Sequence, residues 1–198
     1  MDNYEYIISS LPVLEPDVKP GEPSRDNILA FIREQLSKRD NDVVDLLLRG
    51  HDETQLDEAF YREALAHQDR FIREYFRFDL NLRNAKVRFL NKALDRPENQ
   101  DIFMEPEGVF EEAPGAQAAL ALTDILARER ALDDLRWSKI SALNLFDYFH
   151  LDTILGFIAR YQITRRWAIL DEQAGRELFR KLVEEVRGTF KGVEYNDK

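Results

Sequence analysis

The stretch Gln68–Asp95, QDRFIREYFRFDLNLRNAKVRFLNKALD, decides the fold. At ~100° per residue, one apolar seam runs Phe71, Tyr75, Phe78, Leu82, Ala85, Phe89 in alternating steps of four and three. A second line, Phe76, Leu80, Val87, Leu90 and Leu94, lies roughly a third of a turn or more away. The remaining arc is polar and carries Arg73, Arg77, Asn81, Asn84, Arg88 and Asn91. A helix covered by apolar contacts on two sides is a central helix, and the expected fold class is all-α.

Asp79, Arg83 and Lys86 sit between the two apolar lines. A buried carboxylate without partners costs several kcal/mol, so Asp79 needs them. It finds them either by pairing with Arg83 at i+4 in an unbroken helix, or by capping a fresh helix after a bend at Phe78–Asp79. The continuous seam favours the pair. A repeat favours the cap, and the weight falls slightly on the cap. In that repeat, residues 72–82 align without gaps on 145–155 in the pattern aliphatic-x-acid-Tyr-Phe-x-apolar-Asp-x-x-Leu, which sets Asp79 opposite Asp152. Two related helical units follow.

Outward from this stretch, Tyr4–Leu11 reads as a helical or extended packing segment and 14–23 as a proline-rich loop. Ser24 is placed to cap a helix reaching about Lys38, and Asp40 or Asn41 to cap Val43–Arg49, with Gly50 at its end. A further helix is signalled by Leu56, Ala59, Phe60, Glu63, Ala64 and His67. Arg96–Gly115 holds three prolines, two glycines and five glutamates, and reads as a long acidic loop. Beyond it, Ala116–Trp137 is expected to be helical with Leu122, Ile125, Leu126, Leu132 and Leu135 inward, and Ser138–Phe149 to be a short helical or turn region. Thr153–Ala168 is expected to be a helix capped by Asp152, and Asp171 to open a last one with an apolar stripe from Ala174 to Val186. The chain thus divides into a unit over 1–95, a linker over 96–115 and a unit over 116–198, with one compact domain as the alternative.

With 198 residues, 44% hydrophobic and 33% charged, the composition is globular. The net charge of −10 argues against nucleic acid and against adhesion to anionic lipid. The chain has no cysteine, which removes disulfides, thiolate metal sites and cysteine nucleophiles from consideration and suits the cytoplasm. No signal peptide is read at the start. The apolar run 148–170 is interrupted by His150, Asp152, Arg160, Arg165 and Arg166, too many charges for a membrane span.

Catalytic motifs are not found: no phosphate loop, no dinucleotide fingerprint, no nucleophile elbow. Glu63 and His67 share a helix face, but a di-iron bundle needs Glu-x-x-His twice. Asp133-Asp134 and Glu184-Glu185 diverge by ~100° and read as solvated faces. Trp137 and Trp167 lie beside Lys139 and Arg165-Arg166, which suits core packing with the cations reaching outward. Arg70–Lys92 holds seven cations against two acids. Such an excess implies pairing within the chain, the commoner outcome, or an acidic partner on the arc Arg73, Arg77, Arg88.

The opening YEYIISSLP, the segment Phe78–Asn84 and the runs Leu132–Trp137 and Arg166-Trp167 resemble a bacterial family of unknown function encoded beside the genes of V/A-type ATPases. That family is in turn similar to the C-type component of V/A-type ATPases (d-type in eukaryotic complexes), an all-helical funnel of three units without an active site. This chain has room for about two. The resemblance implies a non-catalytic accessory or coupling subunit that bridges the central stalk and the membrane rotor ring, with no cofactor, in the cytoplasm and peripheral to the inner membrane through its partners. For Asp79, Arg83 and Asp152 it implies a structural role at helix starts or in ion pairs. The alternative is a soluble helical adaptor or small-ligand-binding protein unrelated to ATPases, with Glu63, His67 and His150 as candidate residues.

Overall fold

The computed structural model describes residues 4–17, 27–145, 148–169, 180, 181, 183 and 184. The expected Ser24 cap, the Asp171 cap and most of the stripe from Ala174 to Val186 lie outside these residues. Among the described residues there is no strand, and eight α-helices follow one another: α1 (Tyr4–Ser10), α2 (Ile28–Gln35), α3 (Lys38–Arg49), α4 (Glu58–Leu65), α5 (Arg70–Ala93), α6 (Ala113–Leu120), α7 (Ile125–Leu143) and α8 (Leu151–Ala168). The all-α reading holds.

Helix starts follow local side-chain chemistry. Ser37, Asp57, Asp69 and Asp124 each accept a backbone N–H three residues on, satisfying amides that the first turn leaves open. Ser37 therefore opens α3 well before the expected Asp40 or Asn41. Asp40 is instead buried and accepts from Tyr4 Oη at 2.9 Å and Ser37 Oγ at 2.8 Å, which ties α1 to α3. The single helix expected over 116–137 is two helices. Asp124 starts α7 afresh, and Leu122, Ile125 and Leu126, expected inward, are exposed. α7 then runs on to Leu143, past the expected end at Trp137.

α5 is continuous for 24 residues, so the bend at Phe78–Asp79 is not formed. The seam is long and unbroken, and Asp79 satisfies its carboxylate within the helix, so nothing remains for a break to satisfy. Two apolar cores meet on this helix. The larger packs Phe71, Ile72, Tyr75, Phe76 and Leu80 against α1–α4 and α8. The smaller packs Phe78 and Leu82 against Ala116, Ala119 and Leu120 of α6 and Leu132 of α7. The larger core draws on Ile7 near the start of the chain and Trp167 near the end of α8, so it takes residues from both sides of the linker.

In the larger core the Phe60 and Phe76 rings meet edge to face at 4.9 Å, and Phe71 stacks on Tyr75 at 5.6 Å. Gly50 ends α3 directly over this cluster. A Cβ there would lie 2.1 Å from Phe76, so glycine is required by the ring and not by an unusual φ.

The second apolar line of α5 is buried in its first half alone. Phe76 and Leu80 are fully enclosed, whereas Leu90 and Leu94 are 51% and 57% exposed. Conversely, part of the polar arc is covered. The acidic linker folds back along it: Asn84 Nδ2 donates to Met104 O at 2.9 Å, and Asn91 Nδ2 donates to Glu98 O at 3.1 Å and Gln100 O at 2.7 Å. Both asparagines are buried. The linker is a strap held on an asparagine rail, and it ends where Pro114 enters the first turn of α6.

Candidate functional site

Four helices converge on a buried ionic centre. α5 supplies Asp79 and Arg83, one turn apart; α7 supplies Asp133 and Arg136, three residues apart; α8 supplies Arg166 and Trp167; α4 supplies Tyr61. Spacings of three and four bring each acid and its arginine onto one helix face. Asp79 Oδ2 accepts from Arg83 Nε at 2.8 Å and Tyr61 Oη at 2.7 Å, while Arg136 Nε stands 3.8 Å from Oδ1. Asp133 accepts from Arg136 Nη1 at 2.9 Å, from Trp167 Nε1 at 2.7 Å and from Arg166. Arg130 stacks on the Trp167 ring at 3.8 Å.

The electrostatics follow from this geometry. Burial alone would raise the Asp79 carboxyl, but Arg83 and Arg136, with the Tyr61 hydrogen bond, outweigh it and hold the group below the usual carboxylate range. Burial, then the Asp79 charge, pushes the Tyr61 hydroxyl far up, so it stays a donor. His51, just past α3, lies beside Tyr75 at 6.1 Å between ring centroids. Burial lowers its pKa to about 4; Asp79 and Asp133 oppose that fall, while Arg136 and Arg166 add to it.

Of the residues singled out in the sequence, Asp79 does not form the slightly favoured cap; it pairs with Arg83, the other of the two arrangements, inside a helix and not at a helix start. Asp152 is not a cap either. His150 occupies the cap position of α8 and accepts from Asp152 N, while the Asp152 carboxylate is buried against Arg70 at 3.0 Å. The repeat therefore lays a helix interior on a turn and helix start, and its residues 146–147 lie outside the described ones. Arg70 Nη2 also donates to Leu143 O at 2.8 Å, joining the end of α7 to the beginning of α8.

The arc Arg73, Arg77, Arg88 is engaged internally. Arg73 donates to His67 O at 2.9 Å, Arg77 to Glu74 at 2.8 Å, and Arg88 to Asn99 and Glu105 of the strap. Lys86 pairs with Glu129 at 3.0 Å. Among the described residues, six of the seven α5 cations, all but Lys92, lie within 4 Å of acids of α5 itself, α7, α8 or the strap. Glu63, His67 and His150 do line one open groove of about 1030 Å³. Glu63 is held there by Arg49, His67 Nδ1 accepts from Asp69 N, and His150 Nδ1 faces Asp152 Oδ1 at 3.1 Å. Among the described residues no group of three or more acidic or histidine side chains is arranged to hold a metal ion.

Sequence reasoning does not bring Asp133, Arg136, Tyr61 and His51 into one site, and it sets Asp133 on a solvated face; the structure buries it. A signal is nonetheless present. Asp133 and Arg136 fall on the inward period with Leu132 and Ile140, whereas Asp134 is rotated off it and is exposed.

Residues 105–189 match a family model described as protein of unknown function (DUF2764). The matched span takes in Asp133, Arg136, Arg166 and Trp167, while Asp79, Arg83, Tyr61 and His51 precede it. No curated protein matches the chain, and no solved structure does. Among the described residues no helix is long and apolar enough to cross a membrane.

Proposed function

We propose that the protein is a non-catalytic helical binding subunit, an accessory or coupling component of a V/A-type ATPase that bridges the central stalk and the membrane rotor ring. The observation that carries this reading joins the resemblance to the geometry. Asp133, Arg136, Arg166 and Trp167, which lie in the segments resembling the ATPase-associated family, are the residues that tie α7 to α8 and both to α5. A subunit that transmits torque needs helices fixed relative to one another, and a buried centre of oriented charges selects one arrangement over near alternatives. A partner reaching the arc Arg73, Arg77, Arg88 would compete with Glu74 and Glu105, so charge there would govern approach and register more than affinity.

The test is reconstitution of the full chain with stalk and rotor-ring components of its own organism, at low and physiological salt. Binding at both salts is expected. Reversing Arg77 and Arg88 to glutamate should weaken assembly where the arc is the contact. Failure of the unaltered protein to bind any stalk or ring component would remove the reading.

A further inference from the structure

The ionic centre borders a small cavity of about 100 Å³, walled by His51 and Glu53 beyond α3, by Asp79 and Arg83 of α5, by Asp133 and Arg136 of α7 and by Arg166 of α8. At about 30 Å³ per water this is room for roughly three waters, or for one compact ion with its oxygens. The hydrogen-bonding capacity of the walls is uneven. Each guanidinium carries five N–H donors. Arg83, Arg136 and Arg166 each place one hydrogen bond on the Asp79 and Asp133 carboxylates, and those carboxylates also accept from Tyr61 and Trp167. More donors than acceptors then remain. His51 Nε2 is buried and has no hydrogen-bond partner among the described residues. The charges balance: three arginines face the carboxylates of Asp79, Asp133 and Glu53. Glu129, 3.9 Å from Arg166, is held by Lys86, and Glu53 is exposed on the turn after α3.

We propose that this cavity binds a small tetrahedral oxyanion of the phosphate class, held by the unspent N–H groups of Arg83, Arg136 and Arg166 and by His51 Nε2–H. Such an ion supplies the acceptors that these donors lack. A cation or an apolar ligand would leave those donors stranded. The bound group is free phosphate or sulfate, or the phosphoryl end of a larger molecule, since all present the same oxygens. His51 is suited to the role as a neutral imidazole, because burial keeps it unprotonated at neutral pH and it donates without adding charge. The site is independent of the coupling role.

The test uses the full chain at neutral pH. Calorimetric titration and thermal unfolding are run with inorganic phosphate, with sulfate, and with glycerol phosphate as a monoester, each against sodium chloride of equal ionic strength. Saturable binding and a midpoint rise beyond the chloride control are expected. Tighter binding of the monoester assigns the phosphoryl source, and tighter binding of phosphate or sulfate the free ion. Arg166→Gln, at the partly exposed wall, should weaken binding by about tenfold or more. Nitrogen NMR of the unaltered protein should show the His51 resonance moving with phosphate, a readout that stands even where a variant fails to fold. Equal midpoints in phosphate and chloride, an unmoved His51 resonance, or undiminished binding by a folded Arg166→Gln would each overturn the proposal.

Discussion

Between Arg70 and Leu80, α5 is enclosed by aromatic rings; between Leu82 and Ala93 it is covered by the alanines of α6 on one side and by a polar strap on another. Both halves have the same apolar period in sequence, yet Phe76 and Leu80 are fully buried while Leu90 and Leu94 are more than half exposed. The difference lies in what each half meets. The first half faces four preceding helices and α8, which bring large apolar surfaces. The second half faces a short alanine helix that fills little volume and a linker that offers carbonyl oxygens. Asparagines suit those carbonyls better than leucines do, so Asn84 and Asn91 go inside and Leu90 stays out. Apolar period locates a helix; the chemistry of its neighbours decides which face is covered.

Four experiments would break or sharpen that contrast. The largest effect is expected where the halves meet. Asp79→Ala leaves Arg83 and Arg136 without their shared carboxylate and should cost about 3–5 kcal/mol in urea unfolding. A loss below about 1 kcal/mol would mean that solvent replaces the carboxylate and the centre is not dry. Next is the acid limb. The His51 pKa is lowered from 6.5 to about 4 in the fold, so the unfolded chain binds the extra proton first. Stability is then full above about pH 6.5 and falls as pH drops towards 4, by about 3 kcal/mol from this group. Asp79, held below its usual range, adds a loss at lower pH still. His51→Gln should flatten the upper part of that decline, and an unchanged pH profile would count against the buried imidazole.

A smaller effect tests the strap. Asn91→Ala removes two hydrogen bonds to the linker and should cost about 1–2 kcal/mol, with faster amide exchange confined to residues 98–104. Exchange that stays slow there would show that Asn84 and Arg88 hold the strap unaided. Smallest of all, Leu90→Gln should change stability by no more than about 0.5 kcal/mol, because the side chain is already half in water. A loss comparable to that expected for a buried leucine would reverse the contrast between the two halves.

Much of the frame is readable in sequence. The seam Phe71–Phe89, the end of α3 at Gly50 and the loop after Asp95 follow from local spacing and turn chemistry, which neighbours alone determine. Asp79 is legible as a residue needing partners, and Arg83 as one of two ways to supply them. The remainder of the centre is not, because Asp133, Arg136 and Arg166 reach it from helices more than fifty residues further along, and no periodicity reports which faces of α5 and α7 meet. The strap is hidden for a related reason. Its acceptors are backbone carbonyls, which every residue carries, so the sequence shows two asparagines and no sign of what they hold. Asp124 has the ordinary features of a helix cap, but the high helix propensity of the alanine-rich run on either side masks the break.

Arg70 has a consequence for the order in which the chain assembles. Its guanidinium bonds Leu143 O and Asp152, residues 73 and 82 positions away, and so clasps the corner between α7 and α8 from the start of α5. The α7–α8 hairpin can form from local contacts, whereas the clasp must wait until a loop of that length has closed. A contact that closes so long a loop is expected to form after the folding transition state, so Arg70→Gln should chiefly raise the unfolding rate. On that expectation Arg70 is a latch on the unfolding rate, which the refolding and unfolding rates of Arg70→Gln would check: a slowed refolding would count against it.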